Sequence, residues 1–180
     1  MFNKFEIFGI TASIVAMIVG LYLVTSYSPG VRNIEQAAAV AGADNRVVVD
    51  PTVNNQNEAL RTAITKAAGS NGALEKLVVH DVKFGIGEEV VSGDVVTVHY
   101  VGTLQNGFEF DNSRKRGSPF TFTVGAGDVI AGWEEGVLGM RVGGARILVI
   151  PPALGYGASG FGPIPPNSPL VFSIELIEIK

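Results

Sequence analysis

From Leu74 to the C-terminus, apolar and polar residues alternate with a period of two, interrupted by Gly and Pro, which is the pattern of strands with one buried face. Residues 94–104 place Val96, Val98, Tyr100, Gly102 and Leu104 on one face and Val95, Thr97, His99, Val101 and Thr103 on the other. Asn106-Gly107 is a two-residue hairpin signal leading into a strand over residues 108–111. Phe120, Phe122 and Val124 alternate with Thr121 and Thr123, and residues 145–150 and 169–179 continue the same rhythm. One stretch changes period: Val129, Ile130, Trp133, Val137 and Met140 fall at helical spacing and predict a short amphipathic helix. Strands flanking a single helix predict an α+β arrangement, an antiparallel sheet packed on that helix.

The amino-terminal part reads differently. Residues 7–24 form a run of 18 without a charge, about the shortest stretch that crosses a hydrocarbon core of roughly 30 Å. This predicts an N-terminal transmembrane helix within an anchor covering residues 1–27. A cleaved signal peptide is the alternative, but no small-residue cleavage pattern follows the apolar boundary at Leu23-Val24-Thr25-Ser26. Lys4 before the span gives a slight bias toward an inside amino terminus, which would put the rest of a single-pass membrane protein on the extracytoplasmic side. Residues 28–73, rich in Ala, Asn, Val and Gln and broken by Pro29-Gly30 and Asp50-Pro51, read as a spacer with a short helix over 58–68.

Composition narrows the chemistry. A net charge of −4 with no basic cluster leaves nothing to track a phosphate backbone, so no nucleic acid is expected as a partner. With no Cys, thiol catalysis, disulfides and Cys-ligated metals are excluded. His80 and His99 stand apart without metal-ligand spacing, so no metal and no cofactor are expected. Gly125-Ala126-Gly127 lacks the third glycine of a dinucleotide loop, and Gly157-Ala158-Ser159-Gly160 is not a nucleophile elbow. What is left is a set of aromatics: Tyr100, Phe110, Phe120, Phe122, Trp133, Tyr156, Phe161 and Phe172. By pattern alone these would simply be the core of a small sheet.

Six segments say more. Val98-His99-Tyr100-Val101-Gly102, Phe110-Asp111-Asn112-Ser113-Arg114, Pro119-Phe120-Thr121-Phe122, Val129-Ile130-Ala131-Gly132-Trp133-Glu134-Glu135-Gly136, Gly155-Tyr156-Gly157-Ala158 and Ile164-Pro165-Pro166-Asn167 occur in one order across residues 74–180. In sequence and spacing they strongly resemble the FK506-binding protein family of peptidyl-prolyl cis/trans isomerases; the first 70 or so residues lie outside the resemblance.

The resemblance implies a twisted antiparallel sheet wrapped around the short helix, with an apolar pocket that takes a proline ring. It implies Trp133 as the pocket floor, Tyr100, Phe110, Val129, Ile130, Ile164 and Phe172 as walls, and Phe120 at the edge. Asp111 and Tyr156 would be the polar members and the Ile130 amide a donor to a bound carbonyl. Asp111 could act directly or by supporting Tyr100 or a neighbouring Arg. Implied partners are proline-containing polypeptides and FK506-like macrolides, with a chaperone or binding module using the same pocket as the rival to catalysis. Phe161 stands where the family commonly has a histidine, and the segment up to Pro165-Pro166 is one residue shorter, so a more apolar rim is expected.

Overall fold

A computed structural model describes residues 46–49 and 55–180. Its strands are β1 (Arg46–Val48), β2 (Leu77–Lys83), β3 (Val95–Leu104), β4 (Glu109–Asn112), β5 (Phe120–Thr123), β6 (Ala145–Ile150) and β7 (Leu170–Ile179). Two helices, α1 (Gln56–Ala67) and α2 (Ala131–Gly136), accompany them. The seven-stranded sheet runs β1-β2-β6-β7-β3-β4, and β5 also pairs with β3. The ten-residue β3 is long enough to take two partners along one edge, β5 against Val95–Val98 and β4 against Val101–Thr103. Gly107, at φ 84°, supplies the left-handed turn of the β3–β4 hairpin that Asn106-Gly107 predicted.

The sheet is mixed, which corrects the expectation of an antiparallel one. β1 runs parallel to β2, with Arg46 opposite Leu77 and Val48 opposite Val79. A parallel neighbour needs a crossover connection, and α1 lies within it. A three-residue strand is too short to declare itself by alternation, so it was invisible in the pattern. Residues 46–48 and 56–67 therefore do not behave as spacer: they add an edge strand and a helix to the sheet.

Helix α1 starts two residues earlier than predicted because the Asn55 side chain accepts a bond from the Glu58 amide at 3.3 Å. It ends as Ala68 turns extended. Leu60, Ala63, Ile64 and Ala67 recur at three- and four-residue intervals and bury one stripe against the sheet. They meet Val78, Ile147, Val149 and Val171 there. Each buried Leu or Ile contributes roughly 1.5–3 kcal/mol, enough to hold a polar helix that would not persist alone.

The opposite face carries the larger core, with Leu77, Val79, Leu148, Ile150, Leu170, Phe172, Ile174 and Leu176 packed against α2. Helix α2 approaches β6 closely through glycines. A Cβ on Gly132 would stand 2.4 Å from the Ile150 side chain, and one on Gly136 would stand 2.4 Å from Leu148. The predicted apolar span over residues 7–24 lies outside the described residues; among these, no helix is long and apolar enough to cross a membrane.

Candidate functional site: an aromatic cluster around Trp133

Trp133 is 3% exposed and sits at the centre of four rings. Tyr100 meets it edge-on at 5.0 Å and 89°, Phe172 at 5.2 Å and 89°, Phe120 at 6.1 Å and 79°, and Phe122 is tilted at 5.6 Å. Such edge-to-face contacts add about 0.5–1.5 kcal/mol each beyond buried area and fix ring orientation. The strand period explains the convergence, since Tyr100 and Phe172 point inward from the neighbouring strands β3 and β7. Gly102 makes room: a Cβ there would fall 2.7 Å from the Phe110 ring and 2.8 Å from Phe172. Phe110 then packs on Phe172 at 5.5 Å.

Ile130 caps the start of α2 in an extended conformation, and its carbonyl accepts from Trp133 N–H at 2.9 Å and Glu134 N–H at 3.2 Å. Its own N–H has no hydrogen-bond partner among the described residues. Val129, Ile130 and Tyr156 are half-buried against the same core as Trp133, and Ile164 is buried within it.

The polar members gather at Tyr100. Its hydroxyl donates to Asp111 Oδ2, and the other carboxylate oxygen accepts from Arg116 Nη1 and from the Asn112 N–H. Arg116 Nη2 also donates to the Tyr100 hydroxyl at 2.9 Å, with the guanidinium 5.2 Å above the ring. Both Asp111 oxygens are thus engaged within the protein. Tyr156 stacks on Phe161 at 5.1 Å and 14°. Burial raises the Tyr156 hydroxyl pKa above its ordinary value. Phe161 is 65% exposed, held at the rim by paired bonds with Ile164, Phe161 N–H to Ile164 carbonyl at 3.0 Å and the reverse at 2.9 Å. Gly160, at φ 66°, permits that turn, because a Cβ there would strike the Ile164 carbonyl at 2.4 Å.

Tyr100, Phe110, Phe120, Val129, Ile130, Trp133, Tyr156, Ile164 and Phe172 therefore share one core, with Asp111 bonded to Tyr100 and Phe161 stacked on Tyr156 as the most exposed member. Three contributors lay outside the predicted pocket. Phe122 touches Trp133, and its place two residues after Phe120, on the same strand face, was the available signal. Glu134 accepts from the Gly125 and Gly127 amides and so ties down the loop before Ile130. Arg116 was foreseen only as an unspecified neighbour; it lies five residues from Asp111, across a turn whose geometry no periodicity encodes.

Among the described residues, His99 Nδ1 meets Ser113 Oγ at 2.9 Å. Ser113 is fully buried, and its Oγ accepts from the Tyr100 N–H at 2.8 Å, so it supports β3 and is out of reach of a substrate. An aromatic cluster gripping a short helix, with the Tyr100 hydroxyl, the Asp111 carboxylate and the Arg116 guanidinium orienting one another, suits a class of protein that acts on conformation rather than on covalent bonds.

The comparisons agree with that class. The family described as FKBP-type peptidyl-prolyl cis-trans isomerase matches residues 87–177. An FK506-binding protein of Neisseria meningitidis serogroup A is 49% identical over 107 residues, 59% of this chain and 98% of that protein. FK506-binding protein 1 of Dictyostelium discoideum is 56% identical over 100 residues, 55% of this chain and 94% of its own length. Among solved structures, AtFKBP13 is similar at a TM-score of 0.56 and 41% identity, covering 63% of this chain and 98% of that one. FkpA from Escherichia coli gives 0.55 and 47%, covering 63% and 50%. The chain belongs to the FKBP-type family and is a peptidyl-prolyl cis-trans isomerase.

Proposed function

We propose that the chain accelerates X-Pro isomerisation by seating the proline ring against Trp133, with the preceding carbonyl accepting from the Ile130 N–H. The observation that carries this reading is Trp133 itself, a nearly buried indole held by four rings at the start of a helix whose Ile130 amide has no hydrogen-bond partner among the described residues. Tyr100, Phe110, Val129, Ile164 and Phe172 wall the proline site, Phe120 borders it, and Phe161 extends an apolar rim.

Unaided rotation about X-Pro faces a barrier of about 18–20 kcal/mol and takes tens to hundreds of seconds. In the twisted transition state the amide loses resonance and with it part of its dipole. A water-poor aromatic site therefore favours the twisted form over the planar one, and that difference in binding is the source of rate. Ile130 N–H and the Tyr156 hydroxyl add orientation. Asp111, with both oxygens already engaged, acts by aiming Tyr100 and Arg116. FK506-like macrolides would occupy the same cluster, altered at the rim by Phe161.

Residues 7–24 are the basis for a further part of this reading: a single-pass anchor that keeps the isomerase beside the extracytoplasmic membrane surface, near emerging or exposed chains. Exchange NMR on an X-Pro peptide tests the catalytic reading. The full chain should speed cis/trans exchange; no enhancement by folded protein would reject it. Carbonate washing of membranes with protease protection tests the anchor: release into the wash, or protection pattern of a cytoplasmic domain, rejects that part.

A further inference from the structure

Helix α2 carries both Trp133 and the Ile130 cap, yet it is six residues long with no basic residue in its last turn and no side-chain cap at its start. A helix this short cannot hold its own shape in water, and its terminal carbonyls need partners from elsewhere. Gly132 and Gly136 set how closely it lies on β6, but a glycine contact offers no side chain to lock its position along the axis.

Guanidinium groups meet the carbonyls at and just past its end. Arg146, on β6, donates from Nη1 to the Gly136 carbonyl at 2.8 Å and the Leu138 carbonyl at 2.9 Å. Its remaining edge is taken by Asp81, directly opposite on β2, through Nε to Oδ1 at 2.7 Å and Nη2 to Oδ2 at 3.0 Å. Arg46, on the added strand β1, reaches the Glu135 carbonyl at 3.4 Å. Arg146 is only 6% exposed, whereas the Arg114–Glu175 and Arg141–Glu89 pairs stand half in solvent. A buried fork-to-carboxylate pair is costly to desolvate and brings geometry more than stability. Its positive charge also complements the negative end of the helix dipole.

We propose that Arg146, fixed by Asp81 and assisted by Arg46, is a positioning residue for isomerisation: it anchors the C-terminal end of α2 so that Trp133 and the Ile130 amide keep their register with the sheet aromatics. This rests on the reading of Trp133 as the proline platform. It also gives β1, which precedes the family-matched residues 87–177, a part in the activity.

The experiment uses the full chain and compares Arg146→Met, Arg146→Lys, Asp81→Asn and Arg46→Ala with Leu60→Ala, a core change on the far face that touches no part of α2. Trp133 is the protein's only tryptophan, so its emission maximum and near-ultraviolet circular dichroism report the helix directly. Arg146→Met should lower kcat/KM about tenfold or more, since charged hydrogen bonds to two carbonyls are lost, and shift the Trp133 signal. Arg146→Lys, which keeps the charge but not the fork, should restore part of both, and Arg46→Ala should cost roughly twofold. If Arg146→Met fails to fold, Arg146→Lys and Asp81→Asn carry the comparison. Folded Arg146 or Asp81 variants whose kcat/KM and Trp133 signal match those of Leu60→Ala would overturn the proposal. An inactive wild type would instead defeat the proline-platform reading, and the Trp133 signal would still decide whether Arg146 positions α2.

Discussion

Successive residues of β6 face two different environments. Leu148 and Ile150 lie beneath α2 beside Trp133, Tyr100 and Phe172, whereas Ile147 and Val149 lie beneath α1 among Leu60, Ala63 and Ile64. The α2 face adds to its aliphatic residues a set of rings whose mutual angles matter and whose polar tips at Tyr100 and Tyr156 need defined surroundings. The α1 face is built from aliphatic residues, which need only fill space. On the proposed reading, a single sheet thus separates a face where geometry carries the activity from a face that contributes stability. Substitutions of similar size on the two faces should have very different consequences.

The sharpest way to break this contrast is Trp133→Leu. It removes the hub of four ring contacts and should cost about 2–4 kcal/mol of stability, somewhat less than truncation to alanine. Its larger effect should be on catalysis, a fall in kcat/KM of at least about a hundredfold, or roughly 2.7 kcal/mol of transition-state stabilisation. Activity measured well below the melting temperature separates the two. Retention of near-normal activity would mean that the indole is only core.

Leu60→Ala is the counterpart on the other face. Leu60 is 1% exposed, and its truncation should cost roughly 2–5 kcal/mol of stability, read from denaturant midpoints. The folded fraction should keep kcat/KM within about twofold, because the change reaches no ring of the cluster. A large loss of activity without unfolding would show that the faces are coupled, and the division drawn above would fail.

The two faces were also unequally legible in the sequence. Long strands with alternating side chains, such as β3 and β7, announced themselves, and so did the placement of Tyr100 and Phe172 on inward faces. The aromatic site was readable only through its six family-like segments, since an aromatic cluster and an ordinary core have the same periodicity. Helix α1 was visible in outline, but its packing on the sheet was not: β1 is three residues long, and parallel pairing leaves no hairpin signature. The Asp81–Arg146 fork was equally hidden. It depends on the β2–β6 register, and a residue pair separated by 65 positions has no local signal.

Tyr156→Phe is a finer test of the α2 face. It keeps the ring that stacks on Phe161 and removes only the hydroxyl. If that hydroxyl holds the substrate carbonyl, losing one hydrogen bond of about 0.5–1.5 kcal/mol should lower kcat/KM roughly two- to tenfold, with little change in melting temperature. Burial holds the hydroxyl proton on beyond the usual tyrosine range, so wild-type activity should not decline from about pH 7 to about pH 9 through this group. A variant equal to wild type would reduce Tyr156 to a piece of the wall.

The smallest expected effect belongs to His80, which lies on the α1 side of β2 between Val78 and Val82. It is 5% exposed, and its Nδ1 has no hydrogen-bond partner among the described residues. Burial lowers its pKa from the ordinary 6.5, and the neighbouring Asp81 carboxylate opposes this only in part. As pH falls through about 6.5 the unfolded chain therefore takes up a proton before the folded one does. The contribution of neutral His80 is complete above that pH, is lost progressively below it, and stops changing once the folded form is protonated too. Urea titrations at about pH 7.5 and about pH 5.5 should show wild type losing stability on acidification, and His80→Gln losing less. Isomerase activity per folded molecule should be the same in both, since His80 faces away from the rings. If acidification lowers kcat/KM in wild type and His80→Gln prevents it, the α1 face takes part in catalysis after all.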